Sequence, residues 1–160
     1  MKKKAIFNWS GGKDSALALY KALASNEYEI ISLLTTISLD TQQSSMHLIP
    51  LSILEAQAKS IGLPLYKAML PSKGLQGYED EMRKATQYFK SLGVTHSIFG
   101  DIFLHDVRKY REAPLSPYGI AVVEPLWGNT SAEIIEEFLT SGLRTKIVVT
   151  QADKLDKSFV

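Results

Sequence analysis

At 160 residues, with 45% hydrophobic and 22% charged side chains, the chain has the composition of an ordinary globular protein and enough length to bury one continuous core. A formal net charge of +1 provides no global field to recruit nucleic acid, and the absence of cysteine excludes disulfides, thiolate metal sites, iron–sulfur clusters and any cysteine nucleophile or persulfide carrier. Met1 and Lys2 to Lys4 have the charge of a signal-peptide start, but the apolar run after them breaks at Asn8 and Ser10 and no stretch is long enough to span a bilayer, so a cytoplasmic location without a membrane partner is expected.

Ala5, Ile6, Phe7 and Trp9 make a short apolar run of buried-strand type. Ala16 to Ala24 is rich in alanine and leucine and predicts a helix that begins near Lys13. Tyr28 to Ile37 reads as a second buried strand, and the polar segment Ser38 to Ser45 as a loop over the end of a sheet. Leu51, Leu54, Ala58 and Ile61 recur at helical spacing, with Gly62 and Pro64 as the stop signal. Leu65 to Leu70 predicts a third strand. Pro71, Gly74 and Gly77 mark a loop before a helix that carries Tyr78, Met82, Ala85, Phe89 and Leu92 on one face and ends at Gly93. Ser97 to Phe99 predicts a fourth strand, whose carboxyl end bears Gly100 and Asp101. The basic stretch Arg108 to Arg111 is expected to close a short helix before Pro114 and Pro117, and Ile120 to Val123 to form a fifth strand ended by Pro125. Thr130 and Glu133 have capping-box spacing for a last helix with Ile134, Ile135, Phe138 and Leu139 on its apolar face, capped by Gly142; Lys146 to Thr150 predicts a sixth strand.

Strand and helix alternate throughout, which implies a Rossmann-like α/β architecture, a doubly wound parallel sheet with helices on both faces, over 1–160 as a single domain. In such sheets ligands sit beyond the carboxyl ends of the strands near the switch point. The loops at 10–15, 37–48, 71–77, 100–105 and 124–129 all fall on that edge.

The stretch with the most chemistry is Ser10-Gly11-Gly12-Lys13-Asp14-Ser15, set between the first strand and the first helix without a spare residue. Two glycines let the backbone turn sharply and bring N–H groups close to a ligand, and the helix start offers unpaired donors and the positive end of its dipole. Ser10 and Ser15 add hydroxyls and Lys13 a point charge, so the loop reads as a phosphate cradle rather than a plain strand-to-helix turn. It is not the Walker loop, which needs more residues between its glycines and a hydroxyl residue directly after the lysine.

The six residues resemble the SGGxDS loop of the PP-loop, or N-type, ATP pyrophosphatases, which cleave ATP between the α and β phosphates and adenylate a substrate. Three later stretches narrow the resemblance. Ser45-Met46-His47, Gly100-Asp101-Ile102 with Arg108 and Tyr110-Arg111-Glu112, and Pro125-Leu126-Trp127 are similar in order and spacing to the diphthine–ammonia ligase family. That resemblance implies a HUP-type sheet, ATP as cosubstrate with Mg²⁺, and a carboxylate-bearing acceptor, a modified protein side chain among the possibilities, that ammonia converts to an amide. Family members usually continue into a further glutamate- and glycine-rich segment, which would lie beyond Val160, so the resemblance carries the ATP half of the assignment further than the acceptor half.

On these readings Ser10, Gly11, Gly12, Lys13, Asp14 and Ser15 bind ATP, with Lys13 as a phosphate partner rather than a surface lysine. Asp14 either braces the loop through backbone N–H groups, the favoured reading, or helps to hold Mg²⁺. Asp101 either binds metal or orients substrate, or is a turn aspartate. His47, Gly100, Arg108, Arg111 and Trp127 are candidates on the substrate side, against surface, solvated-helix-end and core-packing roles; Glu112 is expected to be an ion-pair partner. His96 and His105 form no metal-ligand pattern with His47. Two competing functions stay open: a PP-loop tRNA-modifying enzyme, which the missing cysteine and basic stripe argue against, and a non-catalytic nucleotide-binding module of the universal stress protein type, whose glycine-rich motif generally comes late in the chain.

Overall fold

The computed structural model describes residues 1–45, 47–71, 77–103, 105–148, 151, 153–155 and 158. Its elements run β1 (Lys3–Asn8), α1 (Lys13–Ala24), β2 (Tyr28–Ser38), β3 (Gln43–Ser44), α2 (Leu51–Ile61), β4 (Leu65–Leu70), α3 (Tyr78–Ser91), β5 (His96–Ile98), α4 (His105–Leu115), a 3₁₀ turn (Ser116–Tyr118), β6 (Ala121–Val123) and α5 (Ser131–Thr140). This is the expected α/β Rossmann-like fold.

β1 pairs in parallel with β2 on one side and β5 on the other; β4 adds to β2 and β6 to β5, both parallel. β1 and β4 both pair Leu33 and Leu34, so they hold opposite edges of β2, and the order is β4-β2-β1-β5-β6. The switch point therefore lies between β1 and β5, where the connections leave in opposite directions.

Period-two alternation along β1 decides the layers. Ala5, Phe7 and Trp9 join a core with Leu17 and Ala18 of α1, Leu54 of α2 and Phe138 of α5, whereas Ile6 points to the other face with Ala85 and Phe89 of α3. Phe99, Leu115 and Ile120 make a smaller cluster under α4. Phe7, Leu17 and Leu33 are almost fully buried, each contributing about 1.5–3 kcal/mol relative to exposure. A register shift at Ala5/Ile6 puts Ile30 and Leu33 of β2 in the same core although they are three residues apart.

The structure departs from the sequence expectations for its elements at three places. Within the predicted loop at 38–45, Gln43–Ser44 forms a short antiparallel strand on Ile37 and Ser38; because β4 occupies the other edge there, β3 sits on the β1 side, beyond the end of β1. Helix α4 runs through Pro114 instead of ending before it. The proline falls in the last turn, where only one intrahelical bond is lost, and the chain then tightens into the 3₁₀ turn. Arg108 and Arg111 consequently stand in mid-helix, not at its negative end. Residues 146–148 form no strand, and the rest of that predicted strand, 149–150, lies outside the described residues, as does Met46. The capping box is present as expected: Thr130 Oγ1 accepts from the Glu133 N–H, and Glu133 accepts from the Thr130 N–H.

Candidate active site

After the shift at Ala5/Ile6 the first strand keeps its pairing with β2 to its end, and Trp9, one residue beyond, still donates its N–H to the Leu34 carbonyl at 2.8 Å. The chain then reverses through Gly11 at φ +81° and enters α1 with Gly12 as an extended N-cap residue. Inside the loop the Ser10 N–H donates to Ser15 Oγ at 3.2 Å and the Gly12 N–H to Ser10 Oγ at 3.4 Å, so the two serines brace the turn. Ser15 is 3% exposed. Among the described residues no side chain caps the start of α1. The donors of its first turn, with the positive end of the helix dipole, are therefore available to an anion. A Cβ placed on Gly12 would find only Ser10 Oγ, at 3.7 Å, so the fold itself does not require glycine there. A phosphate laid against the loop would. On this observation the residues present fit the triphosphate of ATP.

Lys13 does not point freely from the loop. Its ammonium pairs with the Asp14 carboxylate at 2.5 Å, with both side chains about a third exposed. Among the described residues Asp14 makes no bond to the loop backbone, contrary to the bracing expected of it. The bracing comes instead from α2: Gln57 accepts from Trp9 Nε1 at 3.0 Å and donates to the Gly11 carbonyl at 3.2 Å. Gly11 is packed tightly there; a Cβ would stand 2.9 Å from both Gln57 Oε1 and Leu54 Cδ2.

Across the switch point, Asn8 ties β1 to β5 by donating to Ser97 Oγ at 2.9 Å and the Ile98 carbonyl at 3.0 Å. Gly100 follows β5 and touches the start of α1; a Cβ on it would lie 3.1 Å from Ser15 N and Cα. Asp101 comes next, accepting from Arg111 Nε at 3.1 Å, and the Arg111 guanidinium lies 4.9 Å over the Phe99 ring. Tyr78 stands at the start of α3; burial pushes its phenol above its ordinary pKa, while the positive Arg111 acts the other way.

These elements enclose a pocket of about 350 Å³. Of the predicted site residues it is walled by Ser10, Asp14, Ser15, His47, Gly100, Asp101 and Arg111. Thr36 and Ser45 form its rim on the β2 side, their hydroxyls 2.5 Å apart. His47 is exposed and has no hydrogen-bond partner among the described residues.

Arg108 and Trp127 stand outside this pocket. Arg108 lies 5.0 Å over the Trp127 ring and forms ion pairs with Glu112 at 3.3 Å, as expected for Glu112, and with Glu124 at 3.2 Å. Glu124 follows β6, its side chain only 1% exposed, and the Arg108 N–H is not aligned for a hydrogen bond to either of its oxygens. Burial raises its carboxyl pKa above the ordinary value, and Arg108 partly offsets that.

Sequence reasoning missed Gln57, Asn8 and Glu124. Each carries a faint signal: a polar residue within the apolar stripe Leu54 to Ala58, an amide at the tip of an apolar strand, and an acid between Val123 and Pro125. Among the described residues no three acids or histidines cluster as a metal site, and no helix is long and apolar enough to cross a membrane.

Residues 1–115 match the family model described as diphthamide synthase N-terminal domain. A comparison with curated proteins finds no match.

Proposed function

We propose, from the premise that this chain belongs to the diphthamide synthase N-terminal domain family of PP-loop ATP-using enzymes, that it is an ATP-dependent carboxylate–ammonia ligase. The observation that carries the reading is the uncapped start of α1 behind Gly11 and Gly12, facing Gly100 and Asp101 across the switch point. In this reading Ser10 to Ser15 hold the phosphates. Lys13 exchanges Asp14 for a phosphate oxygen and stabilises charge on departing pyrophosphate. Bound ATP would supply the activation that a carboxylate needs, replacing a poor leaving group with AMP.

The chain's own part is alignment and charge neutralisation. Arg111, set over the Phe99 ring, and Asp101 orient the acceptor carboxylate beside the loop, with His47 and the Gly100 backbone on either side. Mg²⁺, which prefers phosphates plus one or two carboxylates, would draw on Asp101. Arg108 and Trp127 support this edge through Glu124 rather than by touching substrate. The acceptor carboxylate and ammonia are the remaining partners.

The test is product identity. Incubation with ATP, Mg²⁺, ammonium and a panel of carboxylates, resolved by anion-exchange chromatography, is expected to release AMP and pyrophosphate, more slowly in Lys13→Ala. Release of ADP and phosphate would overturn the reading.

A further inference from the structure

Beside the phosphate pocket lies a second cavity of about 410 Å³, on the sheet face covered by α3 and α4. The two spaces share a wall made by Leu34, Tyr78, Met82, Phe99 and Arg111. We propose that this cavity binds the apolar body of a small carboxylic acid whose carboxylate rests on Arg111 at the shared wall. The inference deepens the ligase reading and rests on it only for what happens to the carboxylate afterwards.

The chemistry of the walls selects the body. Phe99, Tyr110, Leu115 and Tyr118 line the cavity together with Met82. Most of the polar side chains in the remaining wall already have partners, the Glu79 carboxylate and the Tyr110 hydroxyl being the two for which none is shown among the described residues. Ser97 Oγ accepts from Asn8, Thr86 Oγ1 donates to the Met82 carbonyl at 2.7 Å, the Tyr118 hydroxyl accepts from Gln87 at 3.3 Å, and Arg83 pairs with Asp80 at 2.8 Å. A sugar or a base placed here would lose most of its water and find few replacement hydrogen bonds, at Glu79 and Tyr110. An aromatic or alkyl body loses nothing of that kind. A cavity of about 150 Å³ takes benzene, so this one has room for roughly one or two rings.

Arg111 selects the head group. A guanidinium has five N–H donors in a planar fork, and the partners shown for it are one Asp101 oxygen and the Phe99 ring face. Donors therefore remain for a carboxylate, and the group is already fixed in orientation before a ligand arrives. The shared wall puts that head in the same space as Ser10, Ser15 and Gly100 while the body stays in the cavity.

The experiment titrates the full chain with 3-phenylpropionate, 3-phenylpropanamide and benzyltrimethylammonium, following the methyl resonance of Met82 and fitting Kd. Expected results are a Met82 shift with the acid, affinity at least tenfold better for acid than for amide, and loss of that preference in Arg111→Gln. Ala113→Phe, at an exposed position of α4 that lines the cavity, should weaken the acid at least tenfold while melting like the parent and keeping the stabilisation by ATP and Mg²⁺. No Met82 shift, equal binding of acid and amide, tighter binding of the ammonium probe, or indifference to Ala113→Phe would each overturn the proposal. Stabilisation by ATP without acid binding refutes this inference and leaves the ligase reading standing. Acid binding with the Arg111 dependence but no effect of ATP supports the cavity assignment and counts against the ligase.

Discussion

Gly100→Ala tests whether the two sides of the switch point are in contact. The added Cβ would lie 3.1 Å from Ser15 N and Cα and 3.2 Å from Asp14 C, all backbone atoms of the first turn of α1. Backbone cannot swing aside as a side-chain tip can, so either the strand end or the helix start must move by a few tenths of an ångström. Overpacking of this kind costs about 1–3 kcal/mol, and restricting the unfolded chain returns about 0.4–1 kcal/mol. The remainder, roughly 1–2 kcal/mol, corresponds to a fall in Tm of roughly 2–8 °C for a chain of this length. The displaced atoms belong to the loop proposed to hold the phosphates, so on that reading ligand binding should suffer as well. If Kd for ATP rises about tenfold, stabilisation at a hundredfold excess over the parent Kd drops from about 2.7 to about 1.4 kcal/mol. Differential scanning fluorimetry with and without ATP and Mg²⁺ reads both quantities. Gly12→Ala is the comparison, because its φ of −93° is open to any residue and its Cβ would meet only Ser10 Oγ at 3.7 Å. It should melt like the parent and lose only the ligand effect. The reasoning is refuted if Gly100→Ala melts within about 1 °C of the parent with its full ligand effect, or if Gly12→Ala loses as much stability as Gly100→Ala does.

Gln57→Ala leaves the indole N–H of Trp9, a residue 5% exposed, without its partner and frees the Gly11 carbonyl; chemical denaturation should show a loss of about 1–3 kcal/mol, and an unchanged midpoint would contradict the clamp. Asp101→Asn should leave Tm nearly unchanged, since its ion pair with Arg111 is partly exposed, while Mg²⁺-dependent turnover falls; a variant that unfolds but keeps normal activity per folded molecule would make Asp101 a structural turn residue. For Glu124 the sign follows from its raised carboxyl pKa, caused first by burial. A carboxyl that holds its proton more tightly in the folded state contributes stability that is complete below the unfolded pKa and is lost as pH rises through the folded one. The Tm of Glu124→Gln minus that of the parent should therefore increase from about pH 4 to about pH 7; a constant or decreasing difference would show that Arg108 outweighs the burial.

The local elements were legible because each is encoded within a window shorter than itself. The stripe of Leu51, Leu54, Ala58 and Ile61, the stop at Gly62, the Thr130–Glu133 capping box and the run Ser10 to Ser15 behind a buried strand all appear in the structure where their spacing puts them. Alternation of strands and helices was sufficient for the fold class, and the loop together with Gly100-Asp101 was sufficient to find the edge that carries the pocket. Which residues complete that pocket was decided by the tertiary structure alone. Gln57 reaches Gly11 across 46 positions, and Gly100 meets Ser15 because β5 lies directly beside β1. One turn of α4 sends Arg111 to Asp101, while Arg108 turns to Glu124 and Trp127. Strand order arises from the burial of both faces of the sheet at once, a requirement summed over the whole chain, so no local pattern of residues states which loops will become neighbours.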